Sequence, residues 1–186
     1  EESTRLAHLV ENVLSFSRIE RGRAPARLTP IPVGNLLSGL KSRLLARAEQ
    51  AALEFNVAAS ETALQASITA DATAVEQVLF NLVDNACKYA AQDSQPPRLD
   101  LIVAINSGSV LFTVRDHGPG LNATQRRKLF LPFSKSATEA AHSAPGVGLG
   151  LALSRRLARE MGGELSCAPV EGRGAAFSLR LNLAEG

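Results

Sequence analysis

The chain has 186 residues, 45% of them hydrophobic and 20% charged, with a formal net charge of +2. That composition suits one globular domain with a real core and a small appendage. The charge is too mild to imply a nucleic-acid or membrane-surface partner, and no apolar run approaches the roughly 20 residues of a membrane span. Cys87 and Cys167 lie far apart in no metal spacing and read as buried, reduced thiols of a cytosolic protein. No signal peptide is visible, and the chain begins at Glu1 already in helical pattern, which suggests a piece of something longer.

Residues 4–21 place Leu6, Leu9, Val10, Val13, Phe16 and Ile19 at alternating steps of three and four. This predicts an amphipathic helix with a coiled-coil-like seam, packed on its own domain or on another chain. The stretch GRAPARLTPIP, with three prolines, ends that helix and reads as a linker running into an extended segment. The expected division is therefore a helix over 1–22, a linker over 23–32 and a folded domain over 33–186. Within that domain the pattern predicts a helix over 33–51, strands over 53–59 and 64–70, and a helix over about 73–91 with Asp71 at its N-cap. Strands over 98–105 and 109–116 are joined by NSG, a hairpin signal. The glycine- and alanine-rich run 117–147 shows one short helical piece, TQRRKLF. A helix over 150–162 and the strands GELSCAP and AAFSLRLNL, around the turn GRG, close the chain. Hairpins and one-sided helices point to an α+β fold: a two-layer sandwich with a mixed, mostly antiparallel sheet and helices on one face.

Four constellations bear on chemistry. In NLVDNACKYA, Asn81, Asn85, Lys88 and Tyr89 form a polar stripe beside the apolar side of a helix. Carboxamide oxygens suit Mg²⁺, which shares its shell with water and phosphate, and a lysine one turn on supplies a point charge. Taken alone, the stripe is equally a solvated face. In DHGPG, Asp116 ends a strand, where its carboxylate could accept the exocyclic amine of adenine while Gly118 and Gly120 let backbone approach the base. The same residues also make an ordinary tight turn. In GVGLGL, Gly146, Gly148 and Gly150 expose N–H groups, around Leu149, where a helix begins and anions are favoured. This is neither the dinucleotide fingerprint nor a P-loop, and a flexible loop would look similar. Between them, LNATQRRKLFLPFSKSATEAAHSAP has the length and composition of a lid or a disordered loop, with Phe130 and Phe133 as tethers. Its Arg126, Arg127 and Lys135 could reach phosphates or simply face solvent.

The order and spacing of EQVLFNLVDNACKYA, DHGPG, LFLPFSKS, GVGLGLALSRRLAREMGGEL and GRGAAFSLRL resemble the catalytic domain of sensor histidine kinases. These belong to the gyrase, Hsp90, histidine kinase and MutL ATPase superfamily. The resemblance covers roughly 70–181, and RLAHLVENVLSFSRIE looks like the end of the dimerisation helix that precedes this domain. It implies a Bergerat-type sandwich that binds ATP and Mg²⁺. Asn85 then matches the metal-ligand position with Asn81 beside it, and Lys88 and Tyr89 face the nucleotide. Asp116 reads adenine with Gly118 and Gly120 in its loop, and Phe130 and Phe133 belong to the lid, with Lys135 beside them. Gly146, Gly148, Leu149 and Gly150 lie beside the phosphates. The implied chemistry is transfer of the γ-phosphoryl to a histidine and then to an aspartate of a response regulator, within a homodimeric parent. The resemblance implies cytoplasmic placement, with no contact of this part of the chain with a membrane.

Three departures qualify it. Superfamily hydrolases carry a glutamate that activates water where this chain has Asn81. No histidine here is followed by an acidic residue: His8 precedes Leu9, His117 precedes Gly118 and His142 precedes Ser143, so the acceptor is expected upstream of this chain. Ala175 stands where threonine often follows the last glycine motif, putting a hydroxyl contact there in doubt. Three alternatives stay open: a serine kinase of the anti-sigma type, a nucleotide-binding module without catalysis, and an ATP-hydrolysing clamp. The missing glutamate weighs against the last.

Overall fold

The computed structural model describes residues 26–89, 96–132 and 148–184. The helix expected over 4–21 with His8, and Phe133, Lys135, His142 and Gly146, lie outside the described residues.

Strand β1 (Thr29–Pro32) leads into helix α1 (Val33–Glu49). The last four residues of the stretch read as linker are thus paired, antiparallel to β3 (Ser67–Ala70). Prolines are tolerated there because β1 is the edge strand of a two-stranded ribbon. Between α1 and β3 come β2 (Glu54–Ala59) and a short helix, α2 (Glu61–Gln65), where the sequence predicts a strand beginning at 64. The reason is local: Ser60 is an N-cap whose Oγ accepts from the Ala63 N–H at 3.2 Å, with Glu61 in the first turn. Only Ser67–Ala70 remains extended.

Helix α3 (Ala72–Tyr89) begins as expected at Asp71, whose carboxylate accepts from the Ala74 N–H at 3.3 Å and from the Arg27 N–H at 3.1 Å. Strands β4 (Arg98–Asn106) and β5 (Ser109–Asp116) form the hairpin. Ser107 and Gly108 both have positive φ, 47° and 75°, as a two-residue turn matched to strand twist requires. Helix α4 (Ala123–Lys128) carries a capping box between Asn122 and Gln125. Helix α5 (Gly150–Glu160) and strands β6 (Glu164–Ala168) and β7 (Ala176–Asn182) complete the described chain.

The main sheet has the order β2-β4-β5-β7-β6; β2 pairs parallel with β4 and every other neighbour is antiparallel. Period-2 alternation sends Leu99, Leu101, Val103, Val110, Phe112, Val114, Leu179 and Leu181 inward, where all are buried. Onto that face pack α1, α3 and α5, through Leu40 and Leu44, Val75, Leu79 and Val83, and Leu153 and Ala158. Each such aliphatic side chain contributes about 1.5–3 kcal/mol on leaving water. The two-layer α+β sandwich with helices on one face is the architecture expected. Cys87 is buried in this core, and burial pushes its thiol up to about 11.

Gly39 sits on the exposed face of α1 with nothing within 4 Å of the place a Cβ would occupy. Gly39→Ala is expected to raise stability by about 0.5–1 kcal/mol in urea unfolding, because alanine loses less backbone entropy in a helix. Leu79→Ala, at a fully buried site, is expected to cost about 2–5 kcal/mol in the same measurement.

Candidate functional site

Helix α3 and the start of α5 face each other through small residues. The Asn81 Nδ2 donates to the buried Ser154 Oγ at 3.2 Å. A Cβ on Gly150 would lie 3.9 Å from the Asn81 carboxamide carbon. Ser154 comes one turn after Gly150 on the same helix face, a spacing that would have revealed it as a partner for Asn81.

One turn further along α3, the Asn85 Nδ2 is buried and has no hydrogen-bond partner among the described residues. An unpaired buried amide costs about 1–3 kcal/mol, which points to a group that completes it on binding. The two ends of a carboxamide are assigned only through their partners, so either Nδ2 or Oδ1 can face such a group. As a donor it suits a phosphate oxygen; as an acceptor it suits Mg²⁺. Among the described residues, no three His, Cys, Asp or Glu side chains converge to hold a metal ion.

Lys88 is more constrained than the sequence suggests. It forms an ion pair with Asp84 Oδ2 at 2.5 Å, while Arg47 Nε takes Asp84 Oδ1 at 2.8 Å. Asp84 thus holds two cations at the end of α3. Tyr89 closes the helix, 44% exposed.

Helix α5 opens without a side-chain cap and with no acidic residue in its first turn. Gly148 has φ of +71° and Leu149 is buried, so the chain enters the helix with its first N–H groups uncapped. That end carries partial positive charge and favours an anion.

Asp116 lies at the inner end of β5, 6% exposed. Its Oδ1 accepts from the Gly118 N–H at 3.0 Å and the Ala175 N–H at 3.2 Å, and its own N–H donates to the Ala175 carbonyl at 3.0 Å. Among the described residues, nothing donates to Oδ2. The turn between β6 and β7 comes so close that a Cβ on Gly174 would stand 2.0 Å from the Asp116 carbonyl oxygen, and Gly174 has φ of +97°. Only glycine fits there. Gly118 is buried and Gly120 packs on Gly174. A cavity of about 170 Å³ opens beside this turn, lined by Gly120, Leu121, Arg126, Cys167 and Gly174 among others. Arg126 borders this cavity, and both it and Arg127 are exposed. Phe130 is half-buried under the Arg155 guanidinium, 4.7 Å from the ring centroid.

The structure therefore brings Asn81, Gly150 and Ser154 together on the α3–α5 seam and Asp116, Gly118 and Gly120 together at the end of β5. The Ala175 N–H, Asp84 and Arg155 were not singled out from the sequence. A backbone donor and a cross-element stack leave no residue-type signal.

Residues 70–185 match the family described as histidine kinase-, DNA gyrase B-, and HSP90-like ATPase. The chain is 28% identical over 179 residues to the aerobic respiration control sensor protein ArcB of Escherichia coli K12, covering 95% of this chain and 22% of ArcB. It is 31% identical over 180 residues to the sensor histidine kinase GacS of Pseudomonas protegens, covering 96% of this chain and 19% of GacS. It thus spans about a fifth of the length of these curated relatives. Among solved structures, full-length ShkA in complex with AMPPNP superposes with a TM-score of 0.78 at 31% identity, over 98% of this chain and 36% of that one. The catalytic domain of histidine kinase ThkA shares the fold, with a TM-score of 0.68 at 22% identity over 84% of this chain and 95% of that one.

Burial raises the Asp116 carboxyl above its ordinary value of 3.8, against the pull of the two N–H donors and of Arg115 and His117. A raised value means that the folded state holds this proton more tightly than the unfolded chain. Its contribution to stability is full below the ordinary carboxylate range and is lost as pH rises through the raised value. At neutral pH the ionised side chain therefore costs stability. Asp116→Asn, which keeps an Oδ1 acceptor for both N–H donors, is expected to melt no lower than wild type at pH 7 without added ligand. A melting temperature several degrees lower would show that the charge itself holds the turn.

Proposed function

The chain belongs to the histidine kinase-, DNA gyrase B-, and HSP90-like ATPase family, and on that premise we propose that it is the Mg-ATP-holding part of a sensor histidine kinase. The observation that carries this reading is the buried amide of Asn85, without a partner among the described residues, one turn along α3 from the residue that meets the uncapped start of α5. In this reading the nucleotide lies between α3, α5 and the end of β5. Asp116 Oδ2 accepts the exocyclic amine of adenine. The first N–H groups of α5, entered through Gly148 and Gly150, take phosphate oxygens.

Asn85 is the residue that would hold Mg²⁺, with Asn81 beside it. When bound, the cation neutralises charge on the β- and γ-phosphates. Lys88 adds positive potential at the same end of the helix, moderated by its pairing with Asp84. Tyr89 and Phe130 border the site, with Phe133, Lys135 and Gly146 assigned to it through their motifs. Transfer then needs positioning and charge more than covalent chemistry from this domain.

The nucleophile comes from elsewhere. A carboxamide cannot take a proton from water at neutral pH, and the Asn81 amide is already committed to Ser154. His117 is bound to Asp100 at 2.9 Å. The acceptor is accordingly a histidine of a dimerisation segment of the parent kinase, and the phosphoryl group passes on to a response-regulator aspartate. In this reading the parent is a homodimer, and the domain works on the cytoplasmic side of the membrane.

The chain is expected to bind an ATP analogue in the presence of Mg²⁺ by calorimetry, with Asn85→Ala weakening binding about tenfold or more through loss of a contact to charged groups. Incubated alone with labelled ATP, it should neither phosphorylate itself nor turn over ATP steadily. Added to a separately purified, histidine-bearing dimerisation segment of its parent, it should yield acid-labile phosphate on that segment. Acid-stable phosphate, or sustained hydrolysis by the chain alone, would overturn the assignment.

A further inference from the structure

The face of the sheet turned away from the helices carries a polar set for which the site above has no use. Arg115 and His117 flank Asp116, and the two-residue period of a strand sends them to the side opposite its carboxylate. The Arg115 guanidinium reaches the turn between β6 and β7, where its Nη2 donates to the carbonyls of Arg173 at 2.8 Å and Glu171 at 3.3 Å. That turn continues directly into Gly174 and Ala175, the second of which donates to Asp116 Oδ1. On the neighbouring strand, Asp100 stands opposite Arg115 in register. Its Oδ2 meets His117 Nε2 at 2.9 Å, and Arg98 Nε lies 3.0 Å from its Oδ1. His117 in turn precedes Gly118, the other donor to Asp116 Oδ1.

Each backbone donor that holds Asp116 thus lies within two residues of a group anchored on the outer face. We propose that Arg115, Asp100 and His117 are positioning residues for nucleotide recognition, braces that fix the two donor loops and so aim Asp116 Oδ2 at the purine amine. The proposal rests on the reading of Asp116 as the purine acceptor. Of the ion-paired side chains here only Arg98 is half-exposed; the Asp100 and His117 side chains are 14% and 17% exposed, so their contact is largely shielded from water. The geometry of the set, with one guanidinium nitrogen donating to two carbonyls of a turn and an imidazole on a carboxylate, restricts where two particular N–H groups point. Arg115 and His117 also favour the ionised form of Asp116, opposing its burial.

The test compares ADP with IDP, in which a carbonyl replaces the exocyclic amine, by calorimetry on the same chain. Wild type should prefer ADP. Arg115→Met, which keeps the stem and removes the fork, is expected to weaken ADP binding about fivefold, the equivalent of one hydrogen bond, and to leave IDP binding unchanged. Asp100→Asn and His117→Gln should shrink the preference by about two- to fivefold. Their double variant should be no worse than the more affected single, because both break one contact. Arg180→Met, an exposed cation of β7, should leave the preference at its wild-type value. An unchanged ADP-to-IDP ratio in Arg115→Met and Asp100→Asn, or equal losses for both nucleotides, would overturn the proposal while sparing the role of Asp116. If Arg115→Met does not fold, Asp100→Asn and His117→Gln decide the matter by the same ratio. Wild type that fails to distinguish ADP from IDP would overturn the reading of Asp116 itself, and the braces with it.

Discussion

A carboxylate buried at the end of a strand is expensive unless its lone pairs are met, and Asp116 meets that requirement by half. Oδ1 takes two backbone N–H groups, one from the loop at Gly118 next door and one from the loop at Ala175, 59 residues along the chain. Bringing those loops together forces Gly174 to within a few ångströms of the Asp116 carbonyl and closes β5 against β7. The pairing of these central strands, the turn after β6 and the loop after β5 all converge on this one side chain. What is left over, Oδ2, is the part available to a ligand. Burial without full satisfaction is the physical form of a binding site: stability is given up in the free protein where recognition is needed.

The second half of the site follows the same logic with neutral groups. Asn81 is satisfied by Ser154 and packs against Gly150, so it joins α3 to the opening of α5. Asn85, one turn on, is left with a buried amide and no partner among the described residues. Two identical residues on one helix face thus have different states, one structural and one available. The small residues at the start of α5 let the helices approach closely enough for that difference to arise.

Much of this was legible in the sequence because it rests on local rules. Apolar periodicity located α1, α3 and α5; the NSG turn located the central hairpin; Asp71 marked a helix start. The glycine pattern and the spacing of the asparagines and Asp116 singled out residues that the structure gathers on the α3–α5 seam and at the end of β5. What escaped was decided at a distance or by a single cap. Ser60 turned the expected start of a strand into helix α2, a short-range competition that strand propensity does not register. Asp84 claimed Lys88, although its position four residues before the lysine was visible in the sequence. The brace from Arg115 to the carbonyls of 171 and 173 could not be read at all, since a backbone acceptor has no residue signature and the register of β5 on β7 is a tertiary fact.

The two faces of the main sheet therefore hold different kinds of information. The inner face is apolar and fixes the layers, and it ends in one buried charge. The outer face has no core to make, yet its polar side chains are connected to the very loops that meet that charge. A strand alternates sides with every residue, so Arg115, Asp116 and His117 place one buried carboxylate inward and two hydrogen-bonded side chains outward within three positions. Loops that carry binding groups are ordinarily the least constrained parts of a fold. Tying them to the rigid strands from behind would keep the donors to Asp116 in place without crowding the inner side, where its Oδ2 lies.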